Sequence, residues 1–115
     1  MHSCIYCGDH ATDRDHITPH SYVSNSKNRS FKEYWEWSCS ECNTVLANIL
    51  LTTVEERGHY LHNKISKRYA KLLSSPPWTD EEIDDLGPGL RASILSARIE
   101  RYKVEDRLRY LSKYL

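Results

Sequence analysis

Apolar positions along the chain change rhythm twice, and the changes divide it. Ala11 to His16 and Tyr34 to Ser38 carry short alternating stretches, with Trp35 and Trp37 on one face of the second. They read as two antiparallel strands joined by a polar Ser, Asn, Lys and Arg loop. After Cys42, the residues Val45, Leu46, Ile49 and Leu50 recur at helical spacing, which predicts a helix beginning at about 41–43. Thr53 with Glu56 is a capping box, and Leu61, Ile65, Tyr69 and Leu72 mark the buried face of the helix it opens; Pro76 and Pro77 stop it. Thr79 with Glu82 opens a short acidic helix that ends at Gly87, and Pro88 starts a long last helix. In that helix Leu90, Ile94, Ala97, Arg101, Val104, Leu108, Leu111 and Leu115 alternate in steps of four and three, a coiled-coil-like seam broken by Arg101. The expected class is α+β. A strand, strand, helix unit over 1–52 is followed by a mostly α-helical extension over 53–115, with helices at about 54–73, 80–86 and 89–113.

A chain of 115 residues buries only a small core, and small cores need a staple. Cys4, Cys7, Cys39 and Cys42 form two CxxC turns, each placing two thiolates on one side of an ion, so together they close a tetrahedral Zn²⁺ site. The bland alternative is four unligated buried thiols. Disulfides would require secretion, yet no basic start with an apolar signal segment is present; an intracellular, reducing setting is expected. No βαβ pattern surrounds either CxxC, which argues against a redox motif. The longest apolar stretch, Val45 to Leu51, falls far short of the ~20 residues a membrane span needs, so no membrane partner is expected.

Sixteen Lys and Arg balance sixteen Asp and Glu, but their distribution is uneven. Lys27, Arg29 and Lys32 make one basic island, and Arg57, Lys64, Lys67, Arg68 and Lys71 make a second. An acidic block follows at Asp80, Glu81, Glu82, Asp84 and Asp85, then a basic tail. Lys64, Arg68 and Lys71 share a stripe beside the apolar seam of their helix, which is a phosphate-tracking surface or simply a solvated face.

Three short segments carry more specific information when taken in order: CIYCG around Cys4 and Cys7, DHITP from Asp15 to Pro19, and CSECN from Cys39 to Asn43. Over about residues 4–50 the chain resembles the HNH endonucleases of the ββα-metal class, particularly phage-type members with a four-cysteine zinc. Closing the cysteines brings the helix start beside the end of the first strand, setting Asn43 against Asp15. The resemblance implies that Asp15 and Asn43 hold a catalytic Mg²⁺ or Mn²⁺, hard ions suited to such oxygen ligands. It also implies that His16 is the general base for DNA hydrolysis leaving a 5′ phosphate. His20 and Asp13 are auxiliary candidates near that ion. Many members carry a middle asparagine that braces the catalytic histidine; here that position is Tyr34, and Asn25 or Asn28 are the substitutes to consider.

DNA is the expected partner, contacted through Lys27, Arg29, Lys32, Lys64, Arg68 and Lys71, with Tyr22 as a stacking surface. The C-terminal seam could form a homodimer, dock on a phage packaging or replication protein, or pack internally; a phage origin would place the protein in the host cytoplasm. His2, His10, His59 and His62 match no ligand spacing. The competing functional class is a zinc-stabilised nucleic-acid-binding module without catalysis.

Overall fold

The computed structural model describes residues 2–17 and 34–115. His20, Tyr22, Asn25, Lys27, Asn28, Arg29 and Lys32 lie outside the described residues. The arrangement is α+β. Strand β1 (Asp13–His16) pairs antiparallel with β2 (Trp35–Ser38), with Asp13 opposite Ser38 and His16 opposite Trp35. Thr12 donates to the Ser38 carbonyl and Ile17 to that of Tyr34, extending the ladder at both ends. The two tryptophans do share a face, as their alternation predicts. The Arg14 guanidinium lies over both rings, 4.8 Å from Trp35 and 5.7 Å from Trp37, and His2 stacks on Trp37 at 4.1 Å. Cation–π contact and stacking, not burial in the core, cover these rings.

Helix α1 (Ser40–Leu46) is capped by Cys39, whose sulfur accepts the Cys42 backbone N–H at 3.4 Å. It stops short of the expected Ile49 and Leu50. Ala47 donates to Thr44 and Ile49 to Leu46, tight i to i−3 turns that end the helix once Leu46 is buried, and Leu50 is left 70 % exposed. Helix α2 (Val54–Arg68) starts at Thr53 as predicted, where the hydroxyl accepts the Glu56 N–H and donates to its carboxylate.

The long helix expected to reach residue 73 is broken at Tyr69 (φ −106°, ψ 18°), after which α3 (Ala70–Ser74) resumes. At this break the Tyr69 hydroxyl donates to Glu41 of α1, a tertiary contact that sets where the ring must sit. Helix α4 (Asp80–Asp84) has the full reciprocal capping box between Thr79 and Glu82. Helix α5 (Pro88–Leu111) ends in a 3₁₀ turn, Ser112–Tyr114. Among the described residues no helix is long and apolar enough to cross a membrane.

One buried cluster joins both halves of the chain: Cys4, Tyr6, Cys7, Cys39, Cys42 and Leu46 with Leu61, Ile65 and Leu111. The α5 seam packs inward through Val104 and Leu111, while its ends, Leu90 and Leu115, stay exposed. Arg101, the break in the seam, finds its own partners in Glu105 and the Ser75 carbonyl.

Two glycines let the C-terminus close over the N-terminal turn. Gly8 adopts φ +78°, a left-handed conformation that glycine takes without strain, and a Cβ there would lie 2.9 Å from the Tyr110 ring. Gly58 sits inside α2, where glycine ordinarily weakens a helix, and a Cβ would lie 2.2 Å from the ring of Tyr114. That ring needs the space because its hydroxyl reaches the Ile5 carbonyl at 2.7 Å. Gly58→Ala is therefore expected to destabilise the fold by about 1–3 kcal/mol through overpacking. In a Tyr114→Ala background the same change should instead stabilise by about 1 kcal/mol, the helix-propensity gain. A double-mutant cycle by urea unfolding reads this reversal of sign; an unchanged sign would show that the ring does not occupy the space over Gly58.

Candidate metal centre and the strand end beside it

The first CxxC turn forms because Gly8 N–H returns to the Cys4 carbonyl and Cys4 N–H reaches Asp9, folding the backbone around the two sulfurs. Ile5 N–H donates to the Trp37 carbonyl, which fastens this turn to β2 directly ahead of the second CxxC. All four cysteines are buried and unbridged, and their sulfurs lie within 4.8 Å of one another, with Cys7 and Cys39 at 3.6 Å. Four thiolates around a tetrahedral ion with bonds of ~2.3 Å would be spaced ~3.8 Å apart. The donor set and its spacing fit a metal ion, and zinc suits four soft sulfur ligands.

Without an ion the cluster cannot carry four negative charges. Contacts among the sulfurs, with Cys39 foremost, pull Cys4 down to about 7 and lower Cys7, whereas Cys39 and Cys42 are pushed up by their neighbours. Arg107 of α5 adds to the lowering at Cys7, donating to its sulfur at 3.3 Å and lying 3.9 Å from the sulfurs of Cys39 and Cys42. Burial works against the Arg107 charge, but its contacts with Cys7 and Glu41 outweigh it and raise its pKa. Glu41, inside the second CxxC, takes hydrogen bonds from Arg107 at 2.5 Å, Tyr69 at 2.6 Å and Arg68 at 2.8 Å. These hold its carboxyl below the usual range although burial opposes the charge.

Comparison of the chain with protein families, curated proteins and solved structures finds no match. The site is therefore interpreted from its own geometry.

Closing the cysteines does bring the start of α1 to β1, but in a different register from the expected one. Asn43 donates through its side-chain amide to Asp13 at 3.1 Å, not to Asp15. Asp15 is 3 % exposed and enclosed by other partners. Arg57 of α2 grips both of its oxygens, Nη2 to Oδ1 at 2.6 Å and Nε to Oδ2 at 3.1 Å, and the Tyr6 hydroxyl donates to Oδ2 as well. The remaining Arg57 nitrogen donates to the Leu51 carbonyl at 2.8 Å. Burial first, then Asp15, raises the Tyr6 phenol above its ordinary value, so it stays a donor to the carboxylate.

The expectation that Asn43 is set against Asp15 is thus corrected: Asn43 meets Asp13, and Asp15 accepts three hydrogen bonds from a bidentate guanidinium and a phenol. Asp13, ranked second from the sequence, is half-buried and is the carboxylate that Asn43 meets. His16 is the half-buried last residue of β1. Tyr34, at the position of the family's middle asparagine, donates to Glu36 at 2.6 Å. Lys64, Arg68 and Lys71 are exposed, with Arg68 paired to Glu41 and Lys64 resting 5.4 Å from the Tyr60 ring centroid.

Tyr6, Glu41, Arg57 and Arg107 were not assigned to the site by the sequence reading. Two of them carried a local signal, since Tyr6 and Glu41 lie inside the CxxC turns. The two arginines carried none, because their partners are far away in the chain.

Filling the cluster requires four deprotonated thiols in one buried site, so metal uptake releases protons and weakens as pH falls. Co²⁺ titration of metal-stripped protein at pH 7.5, a pH chosen only for the assay, is expected to give intense sulfur-to-cobalt absorption at about one equivalent per chain. The apparent affinity should drop as pH is lowered. Absence of that absorption, or an affinity independent of pH, would show that the thiols do not ligate.

Proposed function

We propose that the protein is a zinc-stabilised, metal-dependent DNA endonuclease of the HNH type. The observation that carries the proposal is the contact of Asn43 with Asp13, which joins the start of α1 to β1 beside the four-cysteine cluster. In this reading Cys4, Cys7, Cys39 and Cys42 hold a structural Zn²⁺. Asp13 and Asn43 offer a second, hard site, a carboxylate and an amide oxygen that suit Mg²⁺ or Mn²⁺, with water and a DNA phosphate completing the coordination. When bound, that ion supplies Lewis-acid stabilisation of the charge that builds on the phosphate. His16 accepts a proton from a water molecule, the water oxygen attacks phosphorus, and the bond to the 3′ oxygen breaks to leave a 5′ phosphate. Asp15 acts through Arg57 and Tyr6 as the anchor of the strand end that carries His16.

One observation favours the competing reading of a nucleic-acid-binding module without catalysis: the carboxylate next to His16 is sequestered by Arg57. Cleavage of supercoiled plasmid separates the two. With Mg²⁺ or Mn²⁺, wild type should nick or cut, and His16→Ala should lose about 10²-fold or more of the rate, the usual contribution of a general base. Asp13→Ala and Asn43→Ala should lose rate and need more divalent ion. Asp15→Asn should chiefly lower stability, since it leaves Arg57 buried without a full counter-charge. Equal trace activity in wild type and His16→Ala, together with salt-sensitive DNA binding that Asp13→Ala does not weaken, would replace the nuclease reading with the binding module.

A further inference from the structure

The guanidinium of Arg107 lies against the cysteine cluster from 100 residues beyond Cys7 in the chain. Its Nε donates to Cys7 Sγ at 3.3 Å, its Nη2 lies 3.9 Å from the sulfurs of both Cys39 and Cys42, and its Nη1 donates to Glu41 at 2.5 Å. The side chain is 11 % exposed, so this is no surface encounter. Its neighbours on the C-terminal segment hold it there: the Tyr110 ring packs over Gly8 of the first CxxC turn, Leu111 is fully buried in the cluster around the cysteines, and Tyr114 bonds to the Ile5 carbonyl.

Four thiolates around a divalent zinc carry a formal excess of two negative charges, and such an excess makes bound sulfurs nucleophilic and basic. A buried cation that donates N–H groups to them lowers both properties, because the donated hydrogens draw on the same sulfur lone pairs that an electrophile or a proton would attack. Glu41 accepts from Nη1 and holds the guanidinium in place, as outer partners of metal ligands commonly do.

We infer that Arg107 is the outer-shell partner of the metal centre, protecting the Cys7 thiolate in particular and making retention of the ion depend on docking of the C-terminal helix. The inference rests on the reading of the cysteines as a zinc site and is independent of the nuclease reading. It gives α5 a role beyond covering apolar surface: when the end of this helix lifts, Cys7 loses the shortest of the Arg107 contacts, and the ion is lost or the thiol modified there first. Cys4, on the same turn, serves as the internal reference, since the Arg107 N–H groups are directed at Cys7, Cys39 and Cys42.

The test uses the full-length zinc-loaded chain, with Zn²⁺ content measured by mass spectrometry. Wild type, Arg107→Lys and Arg107→Met are treated with iodoacetamide, and modification at each cysteine is followed by peptide mapping, alongside zinc release to a coloured chelator. In Arg107→Met, zinc release should speed up by about 10- to 100-fold, the usual effect of removing an outer-shell partner. Alkylation of Cys7 should rise well above that of Cys4. Arg107→Lys keeps the charge with a single compact donor group and should fall between, which also covers the case in which Arg107→Met does not fold. Equal acceleration at all four cysteines would mean general loosening of the fold and would overturn the inference, as would Arg107→Lys or Arg107→Met behaving as wild type with one zinc per chain. A chain that binds neither Zn²⁺ nor Co²⁺ would overturn the zinc reading and this inference with it.

Discussion

Four sulfur atoms from two turns widely separated in the chain converge to within 4.8 Å, and most of the N-terminal half is shaped by that closure. Two four-residue strands and a seven-residue helix are all too short to persist by themselves in water. Their stability must come from what holds their ends together. The Cys39 sulfur shows how directly the constraint acts, since it belongs to the cluster and also caps α1. The link from Ile5 to Trp37 then ties the first turn to the strand that leads into the second, so the position of the cluster determines the register of the hairpin.

The helical extension is not an appendage to this unit. Leu61, Ile65 and Leu111 belong to the same buried cluster as the cysteines, and no separate apolar centre of similar burial forms within α4 and the first half of α5. Two polar clamps reinforce the junction. Glu41 gathers Arg68, Tyr69 and Arg107, and so joins α1 to α2 and α5; Arg57 joins α2 to β1 through Asp15. The Arg57–Asp15 and Arg107–Glu41 pairs are largely buried, whereas Arg68 is exposed and its arm is of the kind that contributes little. Breaking the buried Arg57–Asp15 pair on one side leaves a charge without compensation, which costs about 3–5 kcal/mol in comparable settings.

Local signals in the sequence were sound where the physics is local. The caps at Thr53 and Thr79, the hairpin, the CxxC pairing and the start of the last helix are short-range features, and the structure has them. What periodicity could not supply depends on distant partners. Helical spacing of Ile49 and Leu50 predicted two more positions in α1, but burial of Leu46 completes that face and leaves the chain free to turn. Tyr69 continues the apolar pattern of its helix, yet its hydroxyl is needed at Glu41 and the helix breaks there. The choice between Asp13 and Asp15 was equally illegible, because alternation places both on one face of β1 and only the arrival of Arg57 from α2 distinguishes them.

That distinction has a consequence for the chemistry proposed. In the proposed reading a cation held by Asp13 and Asn43 would lie three residues before His16, roughly 10 Å along an extended strand and, by alternation, toward the other face of β1. Base and metal ligand would then not be neighbours in contact, and the proposed chemistry would require the substrate phosphate to reach both. In such an arrangement the proposed rate would depend on the rigidity of the strand end, because a misplacement of about 1 Å costs on the order of 10²-fold. Arg57 and Tyr6, by fixing Asp15, hold rigid the one stretch of backbone on which both Asp13 and His16 are carried.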